Sequence, residues 1–379
     1  MALFPYIFLL TKAHLSSVGI KVFKAAKSLG DNNINAIRKV IIPSLWPTIT
    51  AGMALVIFET VADFGGVSTL RVETFTVGIY DAWFGYQSYF SAARLAGYLL
   101  IFVFLIMLIM KYFGAKSNNL ASKTAEKFQK IETSTFNKVI MSIICSIIFA
   151  LVFCLPTSQL IIWYFSDSAL NIFTNLQLLI NSTFVGVFAS CVTVFFAISL
   201  ALSFRQLNSL KPLIIISTSG YAIPGSVISA GLLIGFHFLF DTSITFYGIF
   251  GLIICLALRF MTPAFNYIST SLLNISKSAE YALATQPSNQ LKAFSYFYLP
   301  QMKPAIYLSL MLVFIESVKE QPATLLLRPL GFDTLSTKIY NFTSEGQWEM
   351  AAGPSLFLVA ISLIFVYVIN KNIDISESK

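Results

Sequence analysis

The sequence KAAKSLG at residues 24–30, followed by VIIP at residues 40–43, is the stretch from which the fold of this chain is best worked out. It is polar and lies between apolar stretches. A related sequence, YALATQP at residues 281–287 followed by FYLP at residues 297–300, recurs in the second half of the chain. The prolines that end the two sequences are 257 positions apart. The chain therefore contains two copies of one polar loop, and the segments around them decide its architecture.

The composition is that of a membrane protein. Hydrophobic residues make up 56% of the 379 residues, charged residues only 11%, and the mean hydropathy is +0.77. Soluble domains carry about 25% charged residues. Apolar runs that approach or exceed the length needed to cross a bilayer, about 20 residues, recur at residues 45–62, 95–110, 139–165, 178–202, 213–236, 246–267, 305–317 and beyond, and 354–369. The sequence predicts an all-α polytopic protein with eight transmembrane helices, preceded by a short apolar stub at residues 1–10.

The residues that most enzymes need are scarce. The chain has two His, and its four Cys each fall singly inside an apolar run, which is typical of buried thiols rather than of disulfides or metal sites. It contains no phosphate-binding Gly-x-x-x-x-Gly-Lys, no dinucleotide-binding glycine pattern and no His-Glu-x-x-His. We therefore expect a chain that is not an enzyme, that hydrolyses no ATP itself and that binds no cofactor.

The distribution of Lys and Arg predicts the orientation. If the spans alternate sides, one side holds 19 of the 25 Lys and Arg and the loops opposite hold four. The basic segments are residues 12–39, 111–138, 205–211, 277–303 and the tail after residue 370. Because positively charged loops stay in the cytoplasm, both copies of the polar loop and the C-terminus are predicted to be cytoplasmic.

The offset of 257 residues extends beyond the loops and defines the predicted domains. It pairs Pro47 with Pro304, Glu59 with Glu316, Asp63 with Glu320, Arg71 with Arg328 and Phe75 with Phe332. Each repeat is predicted to contain a cytoplasmic loop, a Pro-led helix ending in acidic residues, an outer segment and a returning helix. The predicted domains are the C-terminal part of a first module (1–110), a cytoplasmic linker (111–138) and a complete second module (139–379). Four helices precede the second loop, so about 120 residues that the duplication predicts before the first are missing. We expect the first module to be truncated at its N-terminus.

The first polar loop is predicted to be a docking surface. A narrow apolar stripe with a small-residue centre runs along it at helical spacing, formed by Val22, Ala25, Ala26 and Leu29. Gly30 suits the left-handed conformation that ends a helix, and the residues after it can cap a second short helix that runs to Pro43. The alternative is an ordinary amphipathic connector, but the second copy of the loop favours docking.

These loops resemble the cytoplasmic coupling motif of ABC importer permeases, in which Glu-Ala-Ala is followed by Gly and then by Ile-x-Leu-Pro. The matching positions are Ala25, Ala26, Gly30, Val40, Ile42 and Pro43 in the first copy, and Ala282, Leu299 and Pro300 in the second. Lys24 and Tyr281 stand where Glu is usual, and Pro287 stands where Gly is usual. Because Pro cannot adopt a positive φ, the second elbow must turn differently. We call residues 24–43 the first elbow and residues 281–300 the second elbow.

The outer segments show which group of ABC importer permeases the chain resembles. ETVADFGG at residues 59–66, FTVGIYDAWF at residues 75–84 and KEQPATLLLRPLGFDTL at residues 319–335 are similar to the fused two-module permeases of iron(III) importers. The similarity covers essentially the whole chain. It implies a type I ABC importer permease fold (MetI-like) in the bacterial inner membrane and transport by alternating access. It also implies two partners: a cytoplasmic ATPase dimer that binds both elbows and uses the ATP, and a periplasmic substrate-binding protein. A second chain is a candidate source of the missing helices.

Six residues are candidates for the transport pathway or its gate: Glu59, Asp63, Glu316, Lys319, Glu320 and Pro224. The four carboxylates are related by the repeat, and ionisable groups at such depth usually face a cavity. Hard cations prefer oxygen ligands, but none of these residues is firmly assigned as a metal ligand. The alternative is that the carboxylates pair with neighbouring Lys and Arg or cap helix ends. Pro224, within GYAIPG at residues 220–225, interrupts the helix 213–236 either as a pathway-lining break or as a packing kink.

Other functions stay open on the sequence alone. Thiamine importers share the fused layout, so a permease for thiamine or another small solute is an alternative. A secondary transporter would need intramembrane coupling sites, which only the four carboxylates supply, and it has no use for paired elbows. A nonfunctional fragment of a disrupted gene is the last alternative. The preferred interpretation is the permease subunit of an ATP-driven iron(III) importer.

Overall fold

The computed structural model describes residues 3–15, 28, 30, 32–115, 135–166, 172–240, 248–276, 278–279 and 290–377. Every regular element in these ranges is a helix, as the sequence predicts. In chain order the main helices are α1 Phe4–His14, α2 Ile42–Ala62, α3 Gly65–Thr69, α4 Phe75–Tyr80, α5 Tyr89–Ala115, α6 Thr135–Phe149, α7 Leu155–Ser166, α8 Ile172–Gln206, α9 Lys211–Ser217, α10 Gly225–Phe240, α11 Gly248–Arg259, α12 Met261–Leu273, α13 Leu299–Lys319, α14 Pro322–Leu327, α15 Leu335–Ser344 and α16 Trp348–Glu377.

The membrane spans agree with the predicted number. By length and composition, five helical stretches of the described chain can cross a membrane: Tyr89–Ile109, Thr135–Ser166, Asn175–Gln206, Phe294–Lys319 and Trp348–Val368. Three further helix pairs are bent by more than 40° at a short break, and the count reaches eight if each pair is one span. These pairs are Ile37–Trp46 with Thr48–Ala62, Lys211–Ala222 with Gly225–Phe236, and Gly248–Arg259 with Met261–Leu273. The stub is the 11-residue helix α1.

The predicted interruption of the helix 213–236 is confirmed. Its two halves meet at 115°, so the interruption predicted at residues 220–225 is a sharp turn of the chain rather than a kink. Pro224 supplies no backbone donor there. A Cβ on Gly220 would lie 2.1 Å from the carbonyl oxygen of Leu258, so only glycine allows this close approach. The Thr262 hydroxyl accepts a hydrogen bond from the Tyr221 amide at 3.3 Å. Neighbouring helices thus hold the break, as a non-helical backbone in a membrane requires.

The described chain forms two compact units. The first comprises Met1–Val61 and Tyr98–Gln159, and the second comprises Ala62–Gly97 and Leu160–Lys379. In the first unit, α2 lies close against α1, because a Cβ on Gly52 would be 3.0 Å from the Cα of Ile7. Most of the predicted linker lies outside the described residues, so the division into modules stays a prediction.

Helix α8 forms the centre of the second unit, where it packs against α12 and α13. Small residues on one face of α8 are buried there, namely Ala189, Thr193, Ala197 and Ala201. A Cβ on Gly186 would lie 2.8 Å from Val318 and 2.9 Å from Phe314 of α13. Small residues allow helices to approach closely, which drives packing where the solvent is lipid. At the end of α8, the Arg205 guanidinium donates to the carbonyl oxygen of Ile275 at 2.7 Å and holds the end of α12.

The internal repeat is visible in the helix boundaries. Helices α2 and α13 each have 21 residues, and both their first and their last residues are 257 positions apart. Each follows a π-helical turn, Ile37–Ile41 before α2 and Phe294–Tyr298 before α13. A third π-turn, Ala150–Cys154, lies just before Pro156 in the same way. In an α-helix a proline ring clashes with the carbonyl four residues earlier, so we attribute these wider turns to the prolines.

The repeat shifts by three positions after α3 and α14. Positive φ occurs at Arg71 in one copy and at Gly331 in the other, and the N-cap residues are Thr74 and Thr334, so both pairs are 260 positions apart. The second copy has a longer short helix followed by Arg328-Pro329, and these added residues move everything after them. Two pairs predicted from a fixed offset are therefore wrong, namely Arg71 with Arg328 and Phe75 with Phe332.

Candidate functional site

Part of the two elbows is described. Ala25, Ala26, Ala282 and Pro287 lie outside the described residues, so their predicted roles stay predictions. Gly30 is exposed and has a φ of +90°, which confirms the predicted left-handed conformation at this position. Pro43 and Pro300 are both exposed. The described parts of both elbows therefore present these positions on the surface of the protein.

The elbows continue directly into long helices. The prediction of a separate short helix ending at Pro43 is wrong, because Asn33–Ala36, the π-turn and α2 follow one another without a gap. In the second copy, Gln290–Ala293, its π-turn and α13 are joined in the same way. The π-turn lets the backbone stay helical up to the proline, whose ring would clash with the carbonyl four residues earlier in a regular α-helix. Each elbow is thus connected to a 21-residue helix by continuous helical backbone.

The segments that follow these helices are fastened by equivalent hydrogen bonds. We call residues 63–88 the first connecting segment and residues 320–347 the second connecting segment. In the first, the Thr76 hydroxyl donates to the carbonyl oxygen of Asp63 at 2.7 Å. In the second, the Ser336 hydroxyl donates to the carbonyl oxygen of Glu320 at 3.0 Å. The two bonds tie each segment back to its own first residue, and they follow the shifted register of the repeat.

The two connecting segments pack against each other through aromatic rings. Tyr80 and Tyr340 are equivalent positions of the repeat, and their ring centroids are 5.4 Å apart at an interplanar angle of 79°. Phe64, which is 1% exposed, contacts both rings at 5.5 and 5.2 Å. The Gln321 side chain lies against Gly65, where a Cβ would be 2.3 Å from Oε1. Equivalent positions of the two repeats thus meet in one aromatic cluster.

The charge state of the tyrosine pair follows from its environment. Burial raises the pKa of Tyr80 and the pKa of Tyr340, and a side-chain hydrogen bond joins the two phenols. Burial also raises the pKa of Asp81, with Glu73 adding to the effect. Burial lowers the pKa of Arg328, although Tyr80 acts in the opposite sense. The two phenols therefore meet as neutral groups and form a polar contact within an aromatic cluster.

The predicted carboxylates have different environments. Asp63 is exposed, and its Oδ1 accepts a hydrogen bond from the amide of Gly66 at 3.2 Å, so it caps the start of α3. Glu316 pairs with Lys319 at 2.8 Å. Glu59 is half-buried. Within the described ranges, no group of three or more His, Cys, Asp or Glu side chains is placed to hold a metal ion. Asp63 therefore caps a helix and Glu316 forms an ion pair, as the alternative stated from the sequence predicts.

Glu320 has a partner that the sequence analysis missed. Its Oε1 lies 2.8 Å from Nη1 of Arg259, and both residues are only 6% exposed. Gly225, directly after the candidate Pro224, lies against both charged atoms. Arg259 is a single cation inside the apolar run at residues 246–267, and a lone ionisable residue in a span is itself a signal of function. The sequence therefore identifies Arg259 as a candidate functional residue, but it does not show that Glu320 is its partner.

The N-terminal part of the chain has a recognisable family. Residues 1–119 match the family described as the inner membrane component of binding-protein-dependent transport systems. Over these residues the chain is similar to the membrane-spanning permeases of ABC importers. The family confirms the predictions of an all-helical, multi-pass inner membrane protein that is a transporter rather than an enzyme. Permeases of this family work with an ATPase and a substrate-binding protein.

Three permeases are similar to this chain over 59% to 97% of its length. The Fe(3+)-transport system permease protein FbpB 2 of Haemophilus influenzae is 27% identical over 377 residues, which cover 97% of this chain and 74% of that protein. The putative ferric transport system permease protein FbpB 1 of the same organism is 25% identical over 285 residues, or 67% of this chain and 45% of its own length. The putative 2-aminoethylphosphonate transport system permease protein PhnV of Salmonella typhimurium is 24% identical over 242 residues, 59% of this chain and 90% of its own length.

Proposed function

We propose that this permease is the transmembrane subunit of an ATP-driven importer of iron(III). It receives the substrate from a periplasmic binding protein and releases it to the cytoplasm. The observation that carries the proposal is the similarity to an Fe(3+)-transport permease over 97% of the chain. The sequences of both connecting segments, which resemble iron(III) importers, agree with this similarity.

Both elbows and the C-terminus face the cytoplasm in this proposal. The support is the distribution of basic residues, with 19 of 25 on that side. One subunit of an ATPase dimer docks on each elbow. ATP is bound and hydrolysed by the ATPase subunits, and this chain itself holds no cofactor. Each elbow continues into a helix of 21 residues, and α2 bends by 50° at Pro47. We propose that a movement at the elbow reaches the connecting segment at the other end of the helix.

The connecting segments then face the periplasm and the substrate-binding protein. Each carries a turn with an exposed leucine directly before a residue of positive φ. These leucines are Leu70, 77% exposed before Arg71, and Leu330, 94% exposed before Gly331. A hydrogen-bonded turn holds Leu70 in place, since the Arg71 amide donates to the carbonyl oxygen of Ser68 at 3.0 Å. We propose these two tips as contacts for the binding protein, because preformed apolar projections lose little entropy on binding.

The pathway and gate candidates are proposed to act in gating but not as ligands of a bound metal ion. Four of the six, Asp63, Glu316, Lys319 and Glu320, take part in caps or ion pairs. A permease must release its ion, so transient attraction suits transport better than a tight metal cage. We therefore propose gating roles for these residues and for Pro224, and no resident metal site.

Uptake of radioactive iron in the native host tests the proposal. Deleting the gene should abolish energy-dependent ⁵⁵Fe(III) uptake, and the full-length gene should restore it. Ala25→Glu with Ala26→Glu should restore nothing and should stop an ATPase from co-purifying with the tagged protein, whereas Ala25→Ser keeps the small surface and serves as the control. Unchanged co-purification of the ATPase with the double variant would contradict docking at the elbow. The purified complex also shows whether a second membrane chain belongs to it.

A second candidate substrate is an organophosphonate. The similarity to PhnV of Salmonella typhimurium, over 59% of the chain, favours it. The two substrates are separated by competition in the restored strain. For an iron(III) permease, excess 2-aminoethylphosphonate should leave ⁵⁵Fe(III) uptake unchanged, and growth on the phosphonate should not need the gene.

A further inference from the structure

Three helix interruptions meet at one point in the second unit. The first is the 115° break between α9 and α10 at residues 223–224, the second is the 50° bend between α11 and α12, and the third is the end of α13. Arg259 is the last residue of α11, and Glu320 directly follows α13. Their ion pair, 2.8 Å long and buried on both sides, joins two of the interruptions.

Gly225, the first residue of α10, brings the third interruption to the same place. A Cβ at Gly225 would lie 2.2 Å from Oε1 of Glu320 and 2.3 Å from Nη1 of Arg259, so no other residue fits while the pair is closed. By contrast, a Cβ at Gly231 or Gly235 of the same helix would meet nothing within 4 Å. The close approach at Gly225 is therefore a property of the ion pair and not of α10 as a whole.

The contact continues into the second connecting segment through the backbone of Glu320. Its carbonyl oxygen accepts hydrogen bonds from the hydroxyls of Thr324 at 2.9 Å and Ser336 at 3.0 Å. One residue thus touches the break before α10 with its side chain and holds the start of α14 and α15 with its main chain. A displacement of the end of α13 would therefore change the contacts at the break before α10 and at the start of α14 and α15.

The equivalent carboxylate of the first copy has a different environment. The position equivalent to Glu320 in the first copy is Asp63, which is exposed and caps α3. The hydroxyls of Ser226 and Ser317, next to Gly225 and three residues before Glu320, are buried and have no hydrogen-bond partner among the described residues. Unsatisfied buried groups are rare in native proteins, so the polar environment around the pair is not fully satisfied in this arrangement.

We propose that Arg259 and Glu320 are positioning residues that form a latch between the end of α13 and the break before α10. Because α13 begins at the second elbow, the latch passes a movement of that elbow to the broken segment and to the second connecting segment together. The existence of the latch does not depend on the identity of the substrate. Its part in transport rests on the proposed function.

Hydrogen exchange of the full-length protein in nanodiscs tests the latch without any transport assay. Glu320→Gln, Arg259→Gln and Gly225→Ala should each accelerate amide exchange by at least tenfold in residues 225–230 and in residues 320–327 together. The matched control is Gly231→Ala, which should exchange like the unmodified protein in both segments. Acceleration confined to the substituted segment, or none at all, would overturn the latch.

A double apolar variant separates coupling from simple stability. Well-packed apolar residues often replace a buried ion pair with no loss of stability, so Arg259→Met with Glu320→Met should assemble with the ATPase normally. The latch predicts that uptake per assembled complex nevertheless falls at least tenfold while ATP hydrolysis continues. Normal uptake per complex would reduce the pair to a structural role and overturn its part in coupling. If the unmodified complex imports no iron, the proposed function fails, and the exchange experiment still decides whether the latch exists.

Discussion

At the scale of the residue, position in the repeat does not determine environment. Asp63 and Glu320 are equivalent, and the sequence indicates that both are acidic residues at the end of a long helix. Asp63 bonds to its own turn, whereas Glu320 is buried against Arg259. The difference comes from residues more than 60 positions away in the sequence. Local patterns identified the carboxylates as candidates, but a pairing through tertiary structure has no local signal.

The two carboxylates should therefore respond differently to neutralisation. Glu320→Gln leaves the Arg259 charge buried without its carboxylate, which costs on the order of 3–5 kcal/mol of unfolding free energy. Asp63→Asn keeps a capping oxygen in an exposed position, and the loss should be below about 1 kcal/mol. Thermal unfolding of the two purified variants measures the difference. Equal losses of stability would contradict the environments described for these residues.

At the scale of the element, composition and hydropathy were sufficient to predict the helices and the number of spans. The two Pro-led helices also follow from the repeat, and their boundaries agree with the offset of 257 residues. The interruption at Pro224 was predicted, but its angle of 115° was not, because it depends on support from Leu258 and Thr262. The π-turns before Pro43, Pro156 and Pro300 were not predicted, because they arise from a clash within the helix. The shift of the repeat to 260 arises from extra residues that a fixed offset cannot detect.

The two exposed turn tips provide a prediction at this scale. Leu70→Glu with Leu330→Glu places charge on both proposed contacts, so the affinity for the substrate-binding protein should fall at least tenfold. Burial of one leucine side chain contributes about 1.5–3 kcal/mol of binding free energy. Losing it at either tip therefore weakens binding by at least tenfold. Binding of the purified binding protein to the permease in nanodiscs measures the change. Leu273→Glu, at a residue 71% exposed at the end of α12, is the control and should leave the affinity unchanged. Equal effects of tip and control variants would remove the tips from the interface.

At the scale of the whole molecule, the repeats are linked through their connecting segments. The segment at residues 62–97 belongs to the same compact unit as most of the second repeat. The contact between Tyr80 and Tyr340 gives the physical reason, since equivalent aromatic residues of the two repeats pack against each other. A division of the sequence by linker composition could not find this unit, because the packing that creates it connects residues about 260 positions apart.

The central claim is that this permease moves iron(III) across a membrane only when an ATPase acts on its elbows. The most direct test uses proteoliposomes that contain the full-length protein with its co-purified ATPase, oriented with the ATPase inside, and the iron-loaded binding protein outside. The account predicts accumulation of ⁵⁵Fe(III) that requires enclosed ATP and that is lost when Ala25→Glu and Ala26→Glu are introduced. Accumulation that proceeds without ATP under an imposed ion gradient, or that survives the elbow substitutions, would contradict the account.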